Sequence, residues 1–149
     1  MAAMGVLLDS NILLRWLVAE QADGKIVGAA VGRLILSKAP LFYTSQNIGE
    51  FWNTLTRPVN RNGFGLSPQE ADSRARSIES RLKLLPDSSA VHWEWRRLLV
   101  RYRVCGVQVH DARLVASMHI HGVKRILTFN TKDFARFDEI EAVHPAQLA

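Results

Sequence analysis

The feature that most constrains this chain is the alternation of short apolar runs with longer amphipathic stretches. Val6-Leu7-Leu8 and Leu41-Phe42-Tyr43-Thr44 are too short for helices and read as buried strands, as does 125–129. A last edge strand is expected over 140–143, with Pro145 ending it. Between these runs the apolar spacing turns helical. Ile12, Leu13, Trp16 and Leu17 give a face to a helix capped by Ser10, and a second helix is expected over 25–37, with Pro40 ending it. Ile48, Phe51, Trp52 and Leu55 form a stripe on a third helix, capped by Ser45 or Asn47 and stopped by Pro58.

Residues 59–65 then read as a loop. Ser67-Pro68-Gln69-Glu70 is a cap, a first-turn proline and a capping-box Glu. That helix is expected to carry its face through Ile78, Leu82 and Leu85 to Pro86. Val91, Trp95, Leu98 and Tyr102 mark another helix over 88–103. One more is expected from Val109 to Gly122, and a turn opening into a short helix over 130–134. Strands alternating with helices argue for an α/β sandwich around a mostly parallel sheet.

The 149 residues suit one domain over 1–149, and 48% hydrophobic content is enough for a real core. No apolar run approaches membrane length, and Met1-Ala2-Ala3-Met4 lacks the basic flank of a secretory leader, so a soluble cytoplasmic protein with no membrane partner is expected. The single cysteine, Cys105, excludes an internal disulfide and a Cys-rich zinc site; it reads as a buried or half-buried inert thiol. The net charge of +5 suits a polyanion such as nucleic acid, or an acidic protein.

Ligands of open α/β sheets gather beyond the carboxyl ends of the strands. Asp9 stands there after Val6-Leu7-Leu8, and Thr128, Asn130 and Asp133 surround the end of Ile126-Leu127. Glu50 falls in the opening turns of the third helix, and Asp111 near the start of its own. Leu114, Val115 and Met118 follow Asp111 at i+3, i+4 and i+7, so its carboxylate is expected on the core-facing side, where a lone anion is costly. Oxygen-only ligands select Mg²⁺ or Mn²⁺, which promote phosphodiester hydrolysis. Each acid alone also reads as a cap, a turn residue or a solvated side chain.

Four stretches in this order resemble the PIN-domain proteins, in particular VapC-type toxins of toxin–antitoxin pairs. They are Leu7-Leu8-Asp9-Ser10-Asn11-Ile12-Leu13, then 45–51 around Glu50, then Val109-His110-Asp111-Ala112-Arg113, and 126–134 from Ile126 to Phe134. The resemblance implies a three-layer α/β/α PIN fold and a Mg²⁺- or Mn²⁺-dependent endoribonuclease. It further implies metal ligands at Asp9, Glu50 and Asp111, hydroxyls bordering the site at Ser10 and Thr128, a small antitoxin partner and a homodimer. The fourth segment departs from the pattern: Asn130 stands where the family often has Asp, so Asn130 or Asp133 fills the last catalytic position. An RNA- or protein-binding module without catalysis and a housekeeping RNA-processing nuclease are the alternatives.

Arg57, Arg61 and Asn62, with Phe64, could hold RNA or form a solvated loop. Arg113 beside Asp111 is a further RNA-binding candidate. Arg96, Arg97, Arg101 and Arg103 read as a phosphate track or a solvated helix face. Trp16, Trp52 and Trp95 lie on apolar stripes and are expected in the core, with Trp93 off the stripe. His119 and His121, two apart on a helix, do not make a zinc pair. A Gly-x-Ser-x-Gly elbow and a Gly-rich phosphate loop are both absent from the sequence.

Overall fold

The computed structural model describes residues 4–18 and 23–149. Five strands, β1 (Val6–Leu8), β2 (Leu41–Thr44), β3 (Lys83–Leu85), β4 (Arg125–Leu127) and β5 (Glu141–Val143), make one sheet in the order β3-β2-β1-β4-β5. Every pairing is parallel. Among the described residues seven helices connect them: α1 (Ser10–Leu17), α2 (Gly24–Leu36), α3 (Ser45–Thr56), α4 (Pro68–Arg81), α5 (Ser89–Arg101), α6 (Gln108–His121) and α7 (Thr131–Phe134).

Two cores lie on opposite faces of the sheet. Side chains alternate along a strand, so Val6 and Leu8 pack with α1 to α4 while Leu7 packs with α5 and α6. Ile126 and Leu127 divide in the same way. A strand covered on both faces has no polar side, which is why these runs read as continuously apolar. The architecture is thus the expected three-layer α/β/α sandwich. The chain starts in the middle of the sheet, builds outward through β2 and β3, and then returns to lay β4 beside β1. Connections therefore diverge between β1 and β4, opening a crevice at their carboxyl ends.

Several local expectations are corrected. Ser10 does not cap α1; Asp9 does, accepting from the Ser10 N–H. Neither Ser45 nor Asn47 caps α3. Thr44 is the cap, and Asn47 closes a capping box from inside the first turn. Leu82 and Leu85 do not extend the α4 face, because the helix stops at Arg81 and Lys83–Leu85 pairs with β2 as an edge strand. Their helical spacing from Ile78 hid this strand, and only Leu85 of its three residues is buried. Strand β4 ends at Leu127, and Phe129 lies beyond it. Cys105 is exposed, not buried.

Trp16, Trp52 and Trp95 are half-buried, packed at the rims of the cores, and not fully enclosed. The Trp95 indole keeps a polar use, donating to the Val109 carbonyl at 2.8 Å. Trp93 is 67% exposed. Among the described residues no helix is long and apolar enough to cross a membrane.

The loop after α3 contains a 3-10 turn at Val59–Arg61 and closes on Arg57, whose carbonyl accepts from the Gly65 N–H. A Cβ at Gly63 would lie 1.9 Å from that same carbonyl oxygen. We therefore expect Gly63→Ala to lower the free energy of urea unfolding by about 1–3 kcal/mol, the cost of forcing atoms into packed space. Gly28→Ala, on an exposed turn of α2 with open space at its Cβ, is expected to raise it by about 0.5–1 kcal/mol.

Candidate active site

Asp9 continues β1 for one more bond, its N–H donating to the Leu127 carbonyl at 3.0 Å. The chain then turns into α1, which buries the side chain to 7% exposure. Its Oδ1 accepts from the Ser10 N–H at 2.8 Å, and its Oδ2 accepts from the Thr128 hydroxyl at 2.8 Å. Thr128 is fully buried and also accepts from the Asn130 N–H at 3.0 Å. The loop after β4 is thereby tied to the loop after β1 through one hydroxyl.

Glu50 reaches the same region from the second turn of α3. Its Oε2 accepts from the Ser10 hydroxyl at 2.7 Å, and its Oε1 from the Gln46 amide at 2.8 Å. Asn47, wholly buried, donates to the Ser10 oxygen at 3.2 Å. Asp111 arrives from the other helical layer, half-buried in the first turn of α6. Asp133 sits on α7, also half-buried.

These carboxylates feel one another. Burial pushes the Asp9 carboxyl up to about 6, against the Thr128 and Ser10 hydrogen bonds that favour its charge, and Glu50 and Asp133 repel it further. Burial raises Asp111 to about 7, and the negative charges of Asp9, Asp133 and Glu50 add to the shift; Arg136 only partly opposes it. Four acids from four segments thus share one electrostatic neighbourhood. At the fourth segment the charge comes from Asp133, which acts on both Asp9 and Asp111. Asn130 is exposed and its side chain does not cap α7.

Sequence reasoning missed three residues here. Asn11 offers its amide to Asp9 Oδ2 and to Thr128, both at 3.4 Å, and its oxygen to the Phe129 N–H. Gln46 contacts Glu50, and its spacing of four on α3 was the available signal. Arg136 donates to the Tyr102 carbonyl and to Gln108, and nothing in its sequence position marked it.

The basic candidates are divided. Arg57 braces its loop by donating to the Asn62 carbonyl, and Arg113 pairs with Asp87 at 3.2 Å. Arg61 is exposed. Arg97 is bound to Glu94 through two hydrogen bonds, so it is no free member of a phosphate track. His119 and His121 turn to Glu94 and to the Pro86 carbonyl, as separate helix faces require.

The donor set is made of hard oxygens, which suits Mg²⁺ or Mn²⁺. It is not a closed cage: among the described residues no three Asp, Glu, His or Cys side chains stand together at ligating distance. Mg²⁺ does not require one, since it keeps several waters and commonly takes one or two carboxylates plus substrate phosphate.

The shifts have a sign. Asp9 binds its proton more tightly in the fold than its ordinary value of 3.8 allows, so its favourable contribution is complete below that pH and lost as pH rises toward 6. Asp111 extends the loss toward 7. The opposite effect of Glu94, held down to about 2 chiefly by Arg97, is complete by its ordinary 4.5. Without divalent ions, Asp9→Asn is expected to unfold at higher urea than wild type at pH 7.5, by up to about 3 kcal/mol. The advantage should vanish near pH 4. Equal stabilities at both pH values would contradict the reading of this site.

Comparison with known proteins bears on the family and the fold. The family model of the PIN domain matches residues 6–140. Among curated proteins none matches the chain. Among solved structures, the chain resembles VapBC2 of Rickettsia felis bound to a promoter DNA fragment, at 14% identity and a TM-score of 0.71, over 95% of this chain and 98% of that one. It also resembles Mycobacterium tuberculosis VapC20, a sarcin–ricin loop cleaving toxin, at 18% identity and 0.66, over 89% and 95%. A toxin–antitoxin complex from Klebsiella pneumoniae matches at 20% identity and 0.62, over 95% and 98%. At such identities the structures speak for the fold, and the family model covers nearly the whole chain: the protein belongs to the PIN-domain family.

Proposed function

We propose that this protein is a Mg²⁺- or Mn²⁺-dependent endoribonuclease and the toxin of a type II toxin–antitoxin pair. One observation carries the reading: four carboxylates, from the β1–α1 junction, α3, α6 and α7, share a neighbourhood at the crevice of a PIN fold, and two of them are held well above their ordinary values. Such a cluster disfavours its own ionisation and repels a phosphate; a divalent cation reverses both effects.

Asp9, Glu50, Asp111 and Asp133 would hold the cation. When bound, it polarises a phosphate oxygen and makes water a better nucleophile. The remaining work belongs to the chain. Thr128 and the Ser10 N–H fix the two oxygens of Asp9 in direction. Ser10 and Gln46 do the same for Glu50. Asn130, exposed beside Asp133, offers a neutral amide to the sugar or base edge. Arg61 and Arg113, on a chain of net charge +5, supply positive charge for the RNA backbone.

The toxin assignment rests on likeness. The structural relatives include a toxin that cleaves the sarcin–ricin loop and toxin–antitoxin complexes. By analogy, an antitoxin covers the acidic crevice, the active form is a homodimer, and the site of action is the cytoplasm. The Asn130 departure favours a second reading, a binding module without catalysis; the charge that Asp133 brings to Asp9 and Asp111 favours the enzyme.

The test is cleavage of structured RNA by purified protein, with ends mapped. Wild type with Mg²⁺ or Mn²⁺ is expected to cut and to stop when the metal is chelated. Asp9→Asn and Asp111→Asn should each lose at least about two orders of magnitude in rate, the scale of removing one charge-stabilising group. RNA binding without cleavage, equal in wild type and Asp9→Asn, would instead establish the binding module. In cells, induced wild type should arrest growth and Asp9→Asn should not.

A further inference from the structure

The acidic cluster is assembled from the two helical layers that cover opposite faces of the sheet. Asp9 and Glu50 come from the α1–α4 side, Asp111 and Asp133 from the side that holds α6. Their charges push these halves apart, since Asp9 and Glu50 both act on Asp111. Something must oppose that push when no cation is present.

Gln46 is placed to do it. One hydrogen of its amide nitrogen goes to Glu50 Oε1 at 2.8 Å, one turn along α3. The other goes to the His110 carbonyl at 2.9 Å, the residue before Asp111 on α6. Both donors of the group are therefore used, and they join the two layers beside the carboxylates each layer contributes. The amide cannot be turned over: that would aim its oxygen at two acceptors. Its oxygen lies buried and unpaired, a penalty that the donor geometry has to offset.

We infer that Gln46 is a positioning residue that sets the spacing between the Glu50 and Asp111 halves of the site and thereby its affinity for a divalent cation. The inference rests on the metal-dependent reading above. Partners that orient metal-binding groups typically change affinity by roughly 10–100-fold when removed. Gln46→Ala removes the link; Gln46→Met keeps the length and bulk but has no donor; Gln46→Glu keeps the shape and adds a fifth negative charge.

Calorimetric titration of the intact chain with Mn²⁺, without RNA, reads the effect directly, alongside the Mg²⁺ dependence of single-turnover cleavage. Gln46→Ala and Gln46→Met are expected to bind Mn²⁺ at least about tenfold more weakly. Their Mg²⁺ half-saturation for cleavage should rise in parallel. Gln46→Glu, without a donor for the His110 carbonyl, should leave the two layers unlinked, as Gln46→Ala does. Amide exchange in the first turn of α6 should quicken in metal-free Gln46→Ala. Wild-type Mn²⁺ affinity in Gln46→Ala, or restoration by Gln46→Met, would overturn the proposal while leaving the nuclease reading intact. A wild type that neither binds Mn²⁺ nor cleaves would overturn both.

Discussion

Like charge is confined at one edge of the sheet, and the polar residues of the site are arranged around it. Asp9 is the centre of it. The residue is buried where β1 turns into α1, two oxygens fixed by a backbone N–H and a threonine hydroxyl, with other carboxylates near enough to resist its ionisation. Nothing about folding requires an acid there. A neutral side chain able to accept the same bonds would serve the cap equally well, and at neutral pH it would serve the fold better. The acid is retained against stability, which is the pattern expected of a site kept for function.

The surrounding polar residues make sense on the same terms. Ser10, Asn47 and Thr44 form a connected set beneath Glu50, and Thr128 and Asn11 form another beside Asp9. Side chains locked in this way hold reactive groups in one geometry before substrate arrives, so less ordering remains at the moment of reaction. Gln46 extends the order across the sheet edge to the opposite layer. By contrast, of the basic candidates Arg61 is exposed and Arg113 is paired with the exposed Asp87, consistent with a surface that attracts phosphate loosely and leaves precision to the crevice.

Much of the fold was legible in the sequence because each of its central strands is buried on both faces. Val6-Leu7-Leu8 and Ile126-Leu127 show no polar alternation, and α3 shows its stripe plainly through Phe51 and Leu55. Strand β3 was not legible: three residues with one buried side chain carry too little pattern, and Leu82 and Leu85 matched the helix before them. The cap at Thr44 was missed, and Ser10 was placed ahead of Asp9 as the cap of α1, because neighbouring Ser, Asn and Asp are equally good cap formers. Asp9, Glu50 and Asp111 were legible from strand ends, helix starts and family resemblance together. The choice between Asn130 and Asp133 was not, because it depends on how α7 folds back toward β1, and a four-residue helix leaves no periodicity to read.

In the function proposed above, the buried, mutually repelling carboxylates hold the cation. Proton release tests it most directly. With Asp9 near 6 and Asp111 near 7, both carry protons part of the time at pH 6.5, and a cation must displace them. Calorimetric titration with Mn²⁺ in buffers of different ionisation enthalpy should show about one proton released per chain at pH 6.5 and close to none at pH 8.5. Mn²⁺ binding with no proton release at pH 6.5, or binding unchanged by Asp9→Asn, would contradict the account.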